Sequence, residues 1–269
     1  FANMGFADNG LWQELSHEEV GREVSTRQAR QSPTDARYFR IDRDGLSERI
    51  SAGLSSGDGT FFLQLPIPDG GFNDFEFQLA GTMSPALARK FPNIQAFSGR
   101  SIGKAAATAQ MELTPSGLSV QVLGSDGRWM IEPVNQSDNA KVMSYFARDA
   151  KGAERTFQCG VEGHSDREHG GLGEKSTHLK SSARSSRTDQ ARSRGEELRT
   201  YRLAVATTGE YGDYHGGTVE GALSAVVKVV NRVNGIFNGE VSVAFELVEN
   251  NDAIIFTDPE TDPFEGNDD

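Results

Sequence analysis

Five histidines are the first residues of this sequence that could hold a catalytic metal. They are His17, His164, His169, His178 and His215. A zinc site on one helix needs two histidines four residues apart with a glutamate after the first, so that both imidazoles reach the metal from one face. Gly21 stands where a second histidine would follow His17, and His164 and His169 are five residues apart. We therefore expect no complete zinc-hydrolase motif here, and we expect the first four histidines to be surface residues.

Cys159 is the single cysteine of the sequence, and it stands in the stretch FQCGV at residues 157–161. One interpretation is a small buried core residue, which is a common fate of a lone cysteine. The other is a metal ligand, because a thiolate binds Zn²⁺ at about 2.3 Å and can fill the position that a catalytic zinc leaves open for water. Its place before a polar segment suits a removable ligand, and the residues alone leave both interpretations open.

Residues 163–197 are rich in Gly, Ser and Arg and almost lack large apolar side chains. Such a stretch gains too little from burial to offset the entropy of ordering it, so we interpret it as a linker. Exposed, arginine-rich linkers are typical sites of proteolytic cleavage, whereas single-stranded nucleic-acid binding would favour aromatic residues among the basic ones. The candidate processing residues are Arg184, Arg187, Arg192 and Arg194.

The overall charge argues against a nucleic-acid or membrane-surface partner. The sequence has 27 Lys and Arg against 39 Asp and Glu, for a formal net charge of −12 at pH 7, which is the wrong sign for phosphate-rich surfaces. No apolar run approaches the roughly 20 residues of a membrane-spanning helix, and a single cysteine excludes an internal disulfide. Four acidic residues near the end could bind calcium, although a solvated acidic tail explains them more simply. They are Asp258, Asp262, Asp268 and Asp269.

The elements that would position these residues divide the chain into three parts. We predict an α+β protein in which residues 1–162 form a β-rich antiparallel domain, residues 163–197 the linker, and residues 198–269 an incomplete βαβ unit. Regularly spaced short strands favour a β-sandwich or a curved antiparallel sheet for the first part. The predicted strands lie at residues 60–65, 75–79, 108–113, 118–123, 129–134 and 142–148.

Local signals add helices and turns to this outline. In residues 1–32 we predict a helix capped by Asp8 or Asn9, and a short helix is predicted at residues 84–90. Asp126-Gly127, between two apolar runs, predicts a hairpin. The apolar face of the first helix would hold Leu11, Trp12, Leu15, Val20 and Val24.

The sequence after the linker follows a strand–helix–strand pattern. Residues 201–206 and 241–248 are apolar enough for strands, and from Val219 apolar residues recur at helical spacing. Thr218 can cap this helix, and Asn234-Gly235 predicts its end. A βαβ unit alone has too little core for a finished domain, so we expect the domain to continue beyond Asp269.

Several of these stretches resemble one group of proteases. The triplet Cys159-Gly160-Val161 is similar to the cysteine-switch signature in prodomains of metzincin metalloproteases. Three later stretches look like the opening of the catalytic domain in bacterial reprolysin-like zinc metalloproteases, and three earlier ones look like the prodomain of the same group. The later ones are residues 198–211, 231–236 and 247–252, and the earlier ones are residues 65–70, 83–92 and 98–100.

This resemblance implies the secreted zymogen of a zinc-dependent metalloendopeptidase. The prodomain would keep the enzyme inactive, with Cys159 bound to the catalytic zinc, until an activating protease cuts the linker and protein or peptide substrates gain access. In the family, the zinc ligands and a general-base glutamate lie in an HExxHxxGxxH helix, which this sequence does not contain. We therefore expect these residues to be inactive by themselves. Calcium has no support as a second cofactor, because Arg202 stands near the place where animal relatives often have an acidic calcium ligand.

Two functions of other classes also fit the residues. One is a secreted, non-catalytic β-rich module that binds a protein or glycan, and it differs from the zymogen in that no histidine-rich helix would follow Asp269. The other is a free-standing protease inhibitor that uses Cys159. It would require inhibition in trans that a Cys159→Ala substitution abolishes.

Overall fold

Nine strands of the described residues form one curved antiparallel sheet. The computed structural model describes residues 10–24, 33–103, 106–135, 138–150 and 197–264, with the backbone alone for residues 21–24. The strands lie in the order β1-β2-β9-β8-β7-β6-β5-β4-β3, and each neighbouring pair is antiparallel. They are β1 (Trp12–Leu15), β2 (Arg37–Ile41), β3 (Thr60–Pro66), β4 (Phe72–Leu79), β5 (Gln95–Ser101), β6 (Ala107–Thr114), β7 (Gly117–Gly124), β8 (Gly127–Pro133) and β9 (Lys141–Phe146).

Alternating side chains give this sheet an inner and an outer face. The inner face carries Phe97, Met111 and Ile131, which are fully buried in one apolar core. The sheet curves far enough for the edge strands β1 and β3 to approach each other: the indole N–H of Trp12 donates to the carbonyl oxygen of Gln64 at 2.7 Å. The curved antiparallel sheet is therefore confirmed over the sandwich alternative.

Six strands lie where the sequence predicted them, and the hairpin at Asp126-Gly127 is confirmed, with Gly127 at φ 111°. Strands β2 and β5 were not predicted, because their polar and small residues hide the alternation. Gly99 in β5 shows the reason for one small residue: a Cβ there would lie 2.5 Å from the ring of Phe77. Glycine at this position therefore allows the ring of Phe77 to pack directly against the backbone of β5.

The described helices are short except for the last one. None of them combines the length and hydropathy that a membrane span needs. They are α1 (His17–Val24), α2 (Arg43–Leu54), α3 (Pro85–Lys90), α4 (Gly209–Tyr214) and α5 (Val219–Val241), with 3₁₀ turns at Ala147–Asp149 and Asn251–Ile254.

The predicted N-terminal helix is wrong in its first half. Trp12 and Leu15 belong to strand β1, and the helix begins only at His17. Ser16 and Glu19 form a capping box there: the backbone N–H of Ser16 donates to a Glu19 carboxylate oxygen at 2.7 Å, and the N–H of Glu19 donates to the Ser16 hydroxyl at 3.4 Å. The proposed caps Asp8 and Asn9 lie outside the described residues.

Helix α2 was not predicted, since only Leu46 and Ile50 of its twelve residues are buried and its apolar periodicity is weak. Its start nevertheless follows the usual rule, because the Asp42 side chain accepts a hydrogen bond from the backbone N–H of Gly45 at 3.1 Å. The predicted short helix α3 is confirmed and is capped by Ser84.

The predicted βαβ pattern within residues 198–269 is confirmed. Strands β10 (Arg199–Leu203) and β11 (Val243–Leu247) are parallel neighbours, and α5 connects them. The N-cap at Thr218 is also confirmed. The predicted end at Asn234-Gly235 is wrong, because α5 continues to Val241 and Ser242 supplies the left-handed residue at φ 55°.

The side chain of Asn234 explains why the helix does not stop there. Its amide nitrogen donates to the Phe245 carbonyl oxygen at 2.8 Å, and its amide oxygen accepts from the Phe245 N–H at 2.7 Å. Gly235 is required for a different reason, since a Cβ at that position would lie 2.5 Å from the Gln110 side chain. Asn234 therefore binds the helix to β11, and Gly235 allows it to approach β6, so neither residue ends the helix.

Candidate functional site

Helix α5 packs on the outer face of the large sheet over a row of buried polar side chains. On the sheet side, this row alternates with the core residues of β6 to β9. It consists of Gln110, Glu112, Ser119, Gln121, Glu132 and Tyr145. On the helix side, Lys228, Asn231 and Arg232 face it. Their hydrogen bonds form two adjacent groups, which we together call the polar network: Thr82, Asn231 and Glu112 in one, and Ser119, Lys228, Glu132, Arg232 and Tyr145 in the other.

Glu132 is the centre of the polar network. One of its carboxylate oxygens lies 3.0 Å from the Lys228 ammonium and 2.9 Å from the Arg232 guanidinium. The other accepts a hydrogen bond from the Tyr145 hydroxyl at 2.8 Å. The Lys228 ammonium also donates to the Ser119 hydroxyl at 2.9 Å. Two cations of α5, one turn apart, therefore share one carboxylate of β8.

Glu112 lies beside this cluster and is fully buried. The Asn231 amide donates to one of its oxygens at 2.7 Å, and Thr82 in turn donates to the Asn231 amide oxygen at 3.0 Å. The second carboxyl oxygen of Glu112 meets no hydrogen-bond donor among the described residues. Its nearest partners across the sheet are the uncharged residues Ala96 and Ser119.

The two carboxyl groups have opposite electrostatic environments. Burial raises the pKa of Glu112 to about 7, against the opposing effects of Arg232, of the Asn231 hydrogen bond and of Lys228. Burial also acts on Glu132, but the charges of Lys228 and Arg232, with the hydrogen bonds from Arg232 and Tyr145, more than reverse it and hold the pKa at about 2. Glu132 is therefore a permanent anion at neutral pH, whereas Glu112 takes up and loses a proton there.

Backbone pairing and apolar packing surround the polar network. The N–H of Leu247 donates to the Thr82 carbonyl oxygen at 2.9 Å, and the N–H of Ser84 donates to the Leu247 carbonyl oxygen at 3.0 Å. The segment 82–84 thus pairs with β11 as a short parallel neighbour. Apolar residues of both parts of the chain form one buried cluster next to it, which includes Leu87, Ile94, Ala96, Leu223, Val226, Val227, Val230 and Leu247.

An apolar cavity of about 560 Å³ lies between β10, α4 and α5. Uncharged side chains line it, among them Leu203, Val205, Tyr211, Val230 and Phe245. Such a lining can bind apolar groups, and the hydroxyl groups of Thr207, Thr208 and Tyr211 are its polar side-chain groups.

The site residues that the sequence singled out lie outside the described residues. This holds for Cys159 and for the processing arginines Arg184, Arg187, Arg192 and Arg194. Their assigned roles, and the three-part division of the chain, stay predictions. His164, His169, His178, Asp268 and Asp269 lie outside as well.

The remaining candidate metal ligands have other partners. His17 is exposed and stacks edge-on against Tyr38. Asp262 accepts a hydrogen bond from the N–H of Gly209, and Asp258 accepts one from the N–H of Glu260 at 2.9 Å. Within the part of the chain that the structure describes, no three His, Cys, Asp or Glu side chains are arranged to hold a metal ion.

The polar network was missed at the sequence level, although two signals could have suggested it. Gln110, Glu112 and Glu132 interrupt otherwise apolar strands at every second position. Lys228 and Arg232 lie four residues apart on a helix whose other buried residues are mostly apolar. Charged residues on both of two packed elements indicate a paired ionic contact.

Comparison with known proteins concerns the C-terminal segment. No curated protein matches the chain. Residues 197–269 match the sequence model of the family described as Metallo-peptidase family M12B Reprolysin-like. At the level of the family, this match implies a metal-dependent peptidase. Such peptidases act on proteins and in general use zinc. The segment that contains β10, α5 and β11 is therefore similar to a reprolysin-like metallopeptidase.

Proposed function

We propose that these residues are the inhibitory prodomain and the first part of the catalytic domain of a secreted zinc metalloendopeptidase zymogen. In this proposal, residues 1–162 inhibit, residues 163–197 are cut by an activating protease, and residues 198–269 begin the peptidase. The alternatives, a non-catalytic binding module or a free-standing inhibitor, are not favoured by any feature of the described residues.

One observation carries the proposal: the segment that matches a metallopeptidase family is bound by the sheet that precedes it. The βαβ unit of residues 199–247 lies within the matched residues 197–269. It contacts the sheet through the polar network, through backbone pairing at Leu247 and through the shared apolar cluster. A separate domain that merely preceded a peptidase in the same chain would not need charged groups buried against it.

Cys159 has the inhibitory role in this proposal. A cysteine thiolate is a strong zinc ligand and can occupy the position of the attacking water. The described residues offer no set of further zinc ligands, and the sequence has no HExxHxxGxxH motif. The proposal therefore assigns only the Cys159 sulfur to zinc among these residues, and it expects the 269-residue chain to have no peptidase activity of its own.

The arginine-rich segment would be the activation site. Arg184, Arg187, Arg192 and Arg194 lie between the two parts of the chain that the proposal separates into inhibitor and peptidase. Cleavage at any of them would break the covalent link and leave Cys159 on the prodomain side.

A Cys159→Ala substitution in the natural gene product tests the inhibitory role. We expect the uncut precursor of this variant to hydrolyse a peptide substrate, whereas the uncut wild type stays latent. Ser165→Ala, six residues further along the same segment, is the matched control and should stay latent. A Cys159→Ala precursor that is as latent as the control would contradict the proposal.

A further inference from the structure

Ionisable groups of the sheet and of α5 are buried together where the two pack. The sheet supplies two carboxyl groups, Glu112 and Glu132, and the helix supplies two cations, Lys228 and Arg232. If α5 left the sheet, all four groups would return to water and to their ordinary titration. The protonation state of the carboxyl groups is therefore coupled to whether the helix is docked.

The geometry singles out Glu112 as the group that responds near neutral pH. Glu132 engages both cations of α5, and Tyr145 on β9 donates to its second oxygen. Glu112 receives one donor, the Asn231 amide, and its second oxygen has none among the described residues. The charged groups that face Glu112 are Lys228 and Arg232 from α5 and Glu132 from β8, while its partners on β5 and β7 are uncharged.

We propose that this face of the sheet is a proton-dependent clasp, which keeps residues 197–264 bound after the chain is cut between the two parts and loosens as Glu112 ionises. The inference builds on the proposed division into prodomain and peptidase segment, but it requires neither zinc nor Cys159. The occupant of the clasp is the βαβ unit of this same chain. It is recognised through the Lys228–Arg232 pair on α5 and through the backbone edge of β11, where Leu247 pairs with the segment 82–84.

The direction of the pH effect follows from linkage. In the docked state the pKa of Glu112 is about 7, and we expect it to return to the ordinary value of 4.5 when α5 leaves the sheet. Between these values the docked form holds a proton that the separated form has lost, so docking weakens as pH rises through this window and is constant above it. Each unit of pKa difference changes the docking equilibrium constant by up to a factor of ten. The affinity of the helix for the sheet therefore falls by up to about two orders of magnitude.

The test uses the whole chain, cut once. A recognition sequence for a site-specific protease replaces residues 184–187, and the folded protein is cut and passed over a gel-filtration column at about pH 5 and about pH 8.5, on either side of the window. We expect the two fragments to elute together at the lower pH and to separate progressively at the higher pH when the sample is diluted. Both tryptophans, Trp12 and Trp129, lie in the sheet, so their fluorescence reports whether the sheet stays folded.

Two variants identify the groups responsible. Glu112→Gln is neutral at every pH and should elute as a complex at both pH values, whereas Glu132→Gln should separate at both. Lys90→Ala removes an exposed ion pair with Asp252 at the edge of the same contact and should behave as the wild type.

Two results would overturn the clasp. Separation of the wild-type fragments at both pH values, with native tryptophan fluorescence, would show that the contact does not hold the cut chain. Co-elution to the same extent at both pH values would show that no proton controls it. Neither readout depends on peptidase activity, so failure of the clasp and failure of the proposed zymogen are separate outcomes.

Discussion

Replacing Glu132 by glutamine should be among the most damaging single changes in this protein. The substitution keeps the size of the side chain but removes the negative charge that lies 3.0 Å from Lys228 and 2.9 Å from Arg232. Both cations would stay in a contact where their side chains are 21 % exposed, and the nearest other carboxyl group, Glu112, already has its own partner. Removing one member of a buried ion pair in this way lowers the free energy of unfolding by about 3–5 kcal/mol.

The pKa of Glu132 gives a similar value for the contribution of its charge to the free energy of unfolding. Its pKa falls from 4.5 to about 2 on folding, and such a shift corresponds to about 3 kcal/mol in favour of the folded state. Because the folded pKa is lowered, this contribution is fully present above about pH 4.5 and is lost as pH falls through about 2. Glu112 does not make the free energy of unfolding depend on pH in that range, since it is mostly protonated in both the folded and the unfolded state below about pH 4.5.

Urea unfolding followed by circular dichroism and tryptophan fluorescence measures both effects. We expect Glu132→Gln to lower the free energy of unfolding by about 3 kcal/mol at neutral pH and to flatten the loss of stability between about pH 4.5 and 2. Lys90→Ala, whose ion pair with Asp252 is exposed, should cost at most about 1 kcal/mol. A loss for Glu132→Gln no larger than that of Lys90→Ala would refute the reasoning that the network is a coupled, buried contact.

Four further substitutions test three separate parts of the structure by the same unfolding assay. Asn231→Ala leaves Glu112 and Thr82 without their buried partner and should cost about 1–3 kcal/mol, and no loss would mean that the amide is not part of the network. Leu223→Ala empties a fully buried site under α5 and should cost about 2–5 kcal/mol, and a change within error would contradict the packing of α5. Gly209→Ala puts a Cβ 2.2 Å from the backbone of Asp258 and should cost about 1–3 kcal/mol, whereas Gly239→Ala, which meets nothing within 4 Å, should be neutral or slightly stabilising. Equal effects of the two glycine substitutions would contradict the close approach at Gly209.

The elements that the sequence predicts well are those whose signals are local. The alternation of core residues in β6, β7 and β8 and the apolar stripe of α5 both reflect the period of one element on one buried face. Thr218 was recognised as a helix cap for the same reason, because a cap acts on the turn that follows it. Strand β1 was mistaken for helix since Trp12 and Leu15 are three residues apart, a spacing that fits a helix as well as the two ends of a short strand.

The elements that could not be predicted depend on partners far along the chain. Asn234 looks like a helix end until β11 is placed beside it, where its amide replaces a strand partner of Phe245. Glu132 looks like a solvated strand residue until Arg232, a hundred residues later, is docked over it. The sequence can mark each charge on its own element, but it does not show which two charges are buried together.

The zinc content of the natural gene product tests most directly whether residues 197–269 begin a metallopeptidase that the preceding residues hold latent. The uncut product would be purified without chelators, and its zinc would be measured by mass spectrometry together with peptide hydrolysis before and after cleavage between residues 163 and 197. We expect about one zinc per chain, as at a single mononuclear site, with hydrolysis only after the cut. A natural product that contains no zinc, or that stays without activity after a complete cut and removal of the prodomain, would contradict it.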